Sequence, residues 1–424
     1  MKQQKIEKKK AENTERPQFQ WKDIFNISVI VASLGYFVDI YDLVLFSIVR
    51  IPSLTSIGLS GEDLTTKGVL LLNTQMGGML IGGILWGILG DKRGRLSVLF
   101  GSILLYSIAN FANGMVTNIE TYVACRFIAG IGLAGELGAG ITLVSEILPV
   151  HSRGYGTMVV ASIGVSGAIL ANIFAKLFDW RMAYYIGGGL GLLLLILRIS
   201  VFESGMFQQI KNDNVSRGQF FRLFTDRRRF MKYMKCILMG IPLWGVIGIL
   251  ITFSPEISKA LHVKGNINAG NAIMFAYAGL VLGDFASGYI SQKIGSRRKA
   301  VIAFLIITCI FSFIFLVSYN VSEDVFYGIT AILGFASGYW AVFVTIAAEQ
   351  FGTNLRATVA TTVPNFVRGS VVVTTSLFLY LKSHTGILES AGIVVGLTLV
   401  FAFYAIFTIE ETFGKDLNYI EQLS

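Results

Sequence analysis

A chain of 424 residues with 54% hydrophobic and only 14% charged positions cannot cover a water-facing surface, because soluble domains carry about 25% charged residues. The mean hydropathy of +0.65 agrees. The net charge of +9 sits in short segments between apolar runs, which is how a membrane protein sets its orientation and not how a nucleic-acid surface is built.

Residues 1–23 are polar and lysine-rich and read as a cytoplasmic tail. The apolar run that begins near Ile24 is too long for a signal-peptide core and reads as a retained first helix. Twelve spans follow at 24–49, 68–90, 96–115, 119–145, 155–177, 182–202, 233–254, 269–291, 298–319, 325–348, 357–381 and 389–409. Lipid offers the backbone no hydrogen-bond partner, so each span must be a helix. The expected fold is an all-α membrane protein with twelve transmembrane helices in two pseudo-symmetric six-helix bundles. The bundles cover 24–202 and 233–410. The basic loop 203–232, ending in Asp226-Arg227-Arg228-Arg229, joins them, and 411–424 forms a second cytoplasmic tail. Most Lys and Arg residues outside the spans fall on the side of the two termini. Only Arg50, Lys67, Lys176, Arg181, Lys259, Lys264 and Lys382 fall on the other.

The two halves repeat one another. Gly87-Ile-Leu-Gly-Asp91-Lys92-Arg-Gly94-Arg95 follows the second span and Gly288-Tyr-Ile-Ser-Gln292-Lys293-Ile-Gly295-Ser-Arg297-Arg298 follows the eighth. Glu146 precedes Arg153 by seven positions after the fourth span, as Glu349 precedes Arg356 after the tenth. Duplicated six-helix halves are a transporter architecture. Gly87 to Arg95 resembles the signature G-x-x-x-D-x-x-G-R of the major facilitator superfamily. The second copy departs from it, with Gln292 at the Asp position and Ser296 at the Arg position. Tyr36-Phe-Val-Asp39-Ile-Tyr41-Asp42, Gly132-Leu-Ala-Gly135-Glu136 and Glu411-Thr-Phe-Gly-Lys415-Asp416-Leu are similar to the bacterial metabolite and aromatic-acid proton symporters, although Ile40 stands where that group often has glycine. In such carriers the loop after the second helix acts as a gate. The resemblance gives that role here to Gly87, Asp91, Gly94, Arg95, Glu146, Arg153, Glu349 and Arg356.

Ionisable groups inside a span cost about 2.5–3.5 kcal/mol each on insertion scales, so those present need a partner or a task. Asp39 and Asp42 lie about 300° apart on one helix and share a face. Two buried carboxylates this close suit proton coupling, with Glu136 as a third candidate. Arg126 in span four and Arg368 in span eleven are fixed cations able to hold a carboxylate. Asn365 shares a face with Arg368, and Pro364 should loosen the backbone there. Tyr36, Tyr41 and Trp340 are candidate cavity aromatics. Asp284 reads as a packing residue.

Gly130, Gly132 and Gly135 formally match a nucleotide-binding fingerprint, but no strand precedes them, and close helix packing explains them better. Cys125, Cys236 and Cys309 lie in apolar runs and form no disulfide or metal pattern. Neither a cofactor nor a metal is expected, and nothing forms an enzyme's catalytic set. The chain is therefore expected to be a monomeric secondary transporter of a bacterial inner membrane. It would take up a small organic anion with protons, sodium remaining open as the coupling ion. A zwitterion such as an amino acid, or a sugar, is the alternative cargo. A drug exporter or a transporter-like sensor fits less well.

Overall fold

The computed structural model describes residues 26–61, 63–198 and 220–421, and the first tail and most of the central loop lie outside them. Among these residues twelve helical spans follow in order. They are α1 (Ile27–Ser56), α2 (Asp63–Arg93), α3 (Arg95–Met115), α4 (Ile119–Leu133 and Glu136–Ile147), α5 (Val150–Val165 and Gly167–Leu177) and α6 (Trp180–Leu197). The second half holds α7 (Arg227–Gly245, continued by Val246–Ile251), α8 (Ala269–Ile294), α9 (Arg297–Leu316), α10 (Glu323–Ala336 and Trp340–Glu349), α11 (Thr353–Thr385) and α12 (Ile387–Thr408).

Helix starts carry their own polar stops. The side chains of Asn26, Asn118, Asp179, Asp226, Asn268, Ser296 and Ser322 each accept a first-turn N–H that has no partner within its helix. The breaks fall where the chain is weakest as a helix, at Ala134-Gly135 in α4, at Ser166 in α5 and at Ser337-Gly338-Tyr339 in α10. In α7 the ladder widens into a π-helical turn just after Pro242. Pro364 does not break α11, which runs unbroken through it.

Eleven of the spans are long and apolar enough to cross a membrane. The twelfth, α11, is long enough but carries Arg356, Asn365 and Arg368 with many threonines. It lies at the boundary of the halves, packed chiefly on α2, so protein rather than lipid surrounds these groups. Ile108, Leu193, Phe313 and Val400 are among the large exposed apolar side chains, as a lipid-facing surface requires.

Candidate functional site

Asp39 and Asp42 share a face of α1 but look into different surroundings. The Asp39 carboxylate reaches across the boundary of the halves to Arg368 of α11, with Oδ2 3.5 Å from Nη2, and both side chains are buried. The second carboxylate oxygen of Asp39 and the Arg368 Nε have no partner among the described residues. Trp340 stands at the broken turn of α10 with its ring centroid 5.7 Å from the Arg368 guanidinium carbon, a cation–π distance. Tyr36 and Tyr277 lie in the same electrostatic neighbourhood. On the side away from the Asp91 loop, a narrow crevice between the halves is walled by Leu43, Val44, Met76, Trp244, Ile247 and Val371. A cross-boundary ion pair thus lies next to a mostly apolar cleft.

Asp42 points into the first bundle. Beside the Asn110 amide, neither of its carboxylate oxygens has a well-formed hydrogen bond among the described residues, and it packs against Gly187 of α6, where an added Cβ would lie 2.3 Å from Oδ1. Arg126 does not bond to either aspartate. Its guanidinium donates to Gln75 Oε1 and, at 3.4 Å, to the Tyr184 hydroxyl, and lies 4.9 Å from the Phe46 ring centroid. Tyr41 donates to the Ala183 carbonyl at 2.8 Å, which ties α1 to α6.

Glu136, at the restart of α4, forms a buried ion pair with Arg198 at the end of α6, and the pair lies directly over Gly35 of α1. Asn365 is bound to the backbone through its amide nitrogen, while its Oδ1 has no partner among the described residues. Its amide donates to the Ala134 carbonyl at the α4 break (2.8 Å) and to Thr361 O (2.7 Å), while its Cβ sits against Gly83. Asp284 Oδ1 accepts from Ala341 N at 3.0 Å, holding the restart of α10.

Of the gate candidates, Asp91, Arg95, Glu146 and Arg356 form one buried network at the end of the bundle that holds the Gly87–Arg95 loop. Asp91 accepts from Ala357 N (3.1 Å), Thr358 N (2.8 Å) and Thr358 Oγ1 (2.5 Å), all on α11 of the other half. Arg95 donates to Glu146 at 2.8 Å, and Arg356 crosses the boundary to the same oxygen at 3.2 Å. Gly87 packs on the Thr358 backbone. Gly94 begins α3 with φ of 100°, a region that glycine enters without strain. Arg153 donates to Ser145 O at 2.6 Å.

The second copy is built the same way with one residue more. A single residue, Gly94, joins α2 to α3, whereas Gly295 and Ser296 join α8 to α9. Arg297 therefore takes the place of Arg95 and grips Glu349 with two nitrogens at 3.0 and 3.2 Å. Ser296, aligned with Arg95 by sequence, is instead the cap of α9. Gln292 replaces Asp91 in kind. With its amide oxygen turned to the donors, it accepts from Gly154 N (3.1 Å) of the first half and Arg297 Nη1 (3.3 Å).

The described tail folds back on this end. Leu417 O accepts from Arg356 Nη2 (2.5 Å) and Tyr419 O from Thr353 N (2.9 Å). Glu411 accepts from Ser296 Oγ and from the N–H groups of Arg297 and Arg298. Burial alone would raise its carboxyl, but these donors and the Phe413 N–H together hold it below the usual carboxylate range.

Gln75, Arg198, Thr358, Arg297 and the 417–421 segment join these networks although the sequence patterns did not single them out. Arg198 and Arg297 carried a usable signal, as a span arginine and as a motif cation one place along. Gln75 and Thr358 look like any polar residue in a helix.

Two duplicated bundles meeting at buried ion pairs define a membrane carrier. The chain belongs to the Major Facilitator Superfamily, whose family model matches residues 25–375. It is 27% identical over 354 residues to the cis,cis-muconate transport protein of Acinetobacter baylyi, covering 80% of this chain and 82% of that protein. It is 26% identical over 293 residues to a sialic acid transporter of Escherichia coli, covering 67% and 68%. In fold it is similar to a solved proton:xylose symporter, with a TM-score of 0.76 at 19% identity over 94% of this chain and 98% of that one. The chain is a transporter, not an enzyme.

Proposed function

We propose that this transporter is a proton-coupled symporter of a bacterial inner membrane that takes up a small organic carboxylate by alternating access. The observation that carries the reading is the Asp39–Arg368 pair, one member from each half, beside an apolar crevice and under Trp340. A carboxylate solute can take the place of Asp39 on Arg368, with its carbon skeleton against Trp244 and Val371. Asp39, losing its counter-charge in buried surroundings, then takes a proton, since an unpaired carboxylate there is disfavoured. Solute anion and proton enter together, and both leave when the pair re-forms. Asp42 is a second proton acceptor on the same helix. The basic segments put both termini in the cytoplasm, which makes the Asp91–Thr358 and Glu146–Arg356 contacts a cytoplasmic gate, closed in this state. That relatives of this chain include a muconate and a sialic acid carrier agrees with an anionic cargo.

Counterflow and pH-driven uptake in proteoliposomes test this, starting with labelled cis,cis-muconate and extended to other carboxylates, amino acids and sugars. Asp39→Asn should keep counterflow while losing accumulation on a pH gradient. Arg368→Gln should weaken carboxylate affinity at least about tenfold, the loss of one charge-assisted contact. Unchanged carboxylate affinity in Arg368→Gln, or uptake confined to amino acids or sugars, rejects the anion reading.

A further inference from the structure

Six polar side-chain atoms on one helix of the first bundle are buried without partners. On α3, Tyr106 Oη, Ser107 Oγ and both amide atoms of Asn110 and of Asn113 have no hydrogen bond among the described residues, and all four side chains are at most 1% exposed. Tyr106, Asn110 and Asn113 fall on one face, since steps of four and three residues nearly complete helical turns. The Asn110 amide lies within hydrogen-bonding reach of the Asp42 carboxylate of α1, although the two are not aligned into a well-formed bond, and neither Asp42 oxygen has another partner among the described residues. Ser107 faces Gly191 of α6 and Asp42 faces Gly187, so α6 presents only glycine at these two points. Asn113 lies about 4.5 Å nearer the end of α3 opposite the Asp91 loop.

Buried amides with every atom unpaired are rare because each lost hydrogen bond is expensive, and internal water making about three hydrogen bonds is the usual remedy. We propose that Asn113, Asn110 and their neighbours on α3 hold a chain of water that delivers protons from the outer end to Asp42. This route is separate from the crevice that serves Arg368, and the inference rests on the proton-coupled reading above. The step is simple in balance: one proton from outside water moves along the chain, and the Asp42 carboxylate becomes a neutral acid. The charged and titratable groups facing Asp42 are Asp39 and Tyr41 on its own helix, Tyr106 on α3, Arg126 on α4 and Tyr184 on α6. α5 meets α1 nearby through Gly167, which packs on the Phe37 carbonyl. Arg126 is engaged by Gln75 and Tyr184, which leaves Asp42 open to a proton.

Leucine keeps the branched shape and heavy-atom count of asparagine, though with more bulk, and binds no water. Asn113→Leu and Asn110→Leu should lower accumulation driven by a pH gradient about tenfold or more, as expected when a proton-transfer route is lost, and leave counterflow within about twofold, because exchange needs no net proton movement. Asn113→Ser should restore accumulation. Should Asn110→Leu fail to fold, Asn113→Leu carries the same comparison one turn farther from Asp42. Equal accumulation in wild type and Asn113→Leu overturns the route, as does a parallel fall of accumulation and counterflow in both Asn113→Leu and Asn113→Ser. A second measurement needs no solute: hydrogen–deuterium exchange of the Asp42 carboxyl infrared band, assigned with Asp42→Asn, should slow in Asn113→Leu. If wild type shows no pH-driven uptake, the symport reading fails, and the infrared rate still decides whether the water chain exists.

Discussion

At single residues, the buried charges divide by what their partners leave them free to do. Glu136, a coupling candidate by sequence, is held over Gly35 by Arg198. Removing one charge of a buried pair strands the other, at about 3–5 kcal/mol. Glu136→Gln should therefore lower the melting temperature in detergent sharply. Glu136→Gln with Arg198→Met should be much milder than the two losses added, because the contacts are shared. Simple additivity would mean that the pair does not bind α4 to α6. Glu411 makes a pH prediction outside the membrane. Its folded pKa is lowered, so the tail's grip on α9 is present above the ordinary carboxylate pKa and is lost as pH falls through the lower folded value. Amide exchange at Arg297 and Arg298 should rise in wild type only once pH falls below the ordinary glutamate value of about 4.3, and already be raised at neutral pH in Glu411→Gln. Identical exchange in the two proteins at pH 7 would disprove the cap.

At the scale of helices, Asp91 ties the two halves with three hydrogen bonds, accepting two N–H groups and one hydroxyl of α11. Hydrogen bonds to a charged group contribute about 1.5–3 kcal/mol each. Asp91→Ala should shift the balance toward the open gate by at least about tenfold, equivalent to some 1.4 kcal/mol. Faster alkylation of a cysteine placed at Thr345, which hydrogen-bonds Thr157 of the other half at 3.0 Å, would report it. An unchanged rate would deny Asp91 that role. The signature that names Asp91 is legible in sequence because it is local. Its receptor on α11 is not, because Ala357 and Thr358 offer backbone N–H groups that any residue could supply. The same limit applies to Asn365: the sequence shows the face it shares with Arg368, but not that its amide nitrogen meets the carbonyl freed at the α4 break and leaves Oδ1 without a partner among the described residues. The breaks themselves follow glycine and serine, yet the periodicity of an apolar run does not show them. Span eleven was legible by length and by its place in the repeat, and its polarity marks the boundary between halves.

Across the whole molecule, the repeat predicts more than the motifs do. Gly288 follows Gly87 by 201 positions, Arg297 follows Arg95 by 202, and Glu349 follows Glu146 by 203, so the extra residue beside Ser296 accounts for part of the drift and moves the second arginine one place along. Sequence alignment alone reads this as a lost arginine; geometry shows that the pair is kept. The halves approach closely on both sides where they touch. A Cβ on Gly87 would lie 3.0 Å from the Thr358 backbone, one on Gly138 2.3 Å from the Thr361 backbone, and one on Gly288 2.6 and 2.8 Å from Cγ and Cβ of Met158. Backbone and Cβ atoms cannot turn aside by a rotamer change, so each contact limits how near the halves can come. Gly138→Val and Gly87→Val should therefore wedge the gate open and abolish uptake while the protein still folds, because each half keeps its own packing and only their approach is blocked. Gly288→Val should lose most uptake as well, because the Met158 Cβ is fixed to its helix and overpacking a close contact costs about 1–3 kcal/mol. Uptake rates in proteoliposomes, read with alkylation of the Thr345 cysteine, decide it. If all three variants lose uptake equally with the gate still closed, closure is not a rigid approach of two halves, and the pseudo-symmetric latch has no part in the transport cycle.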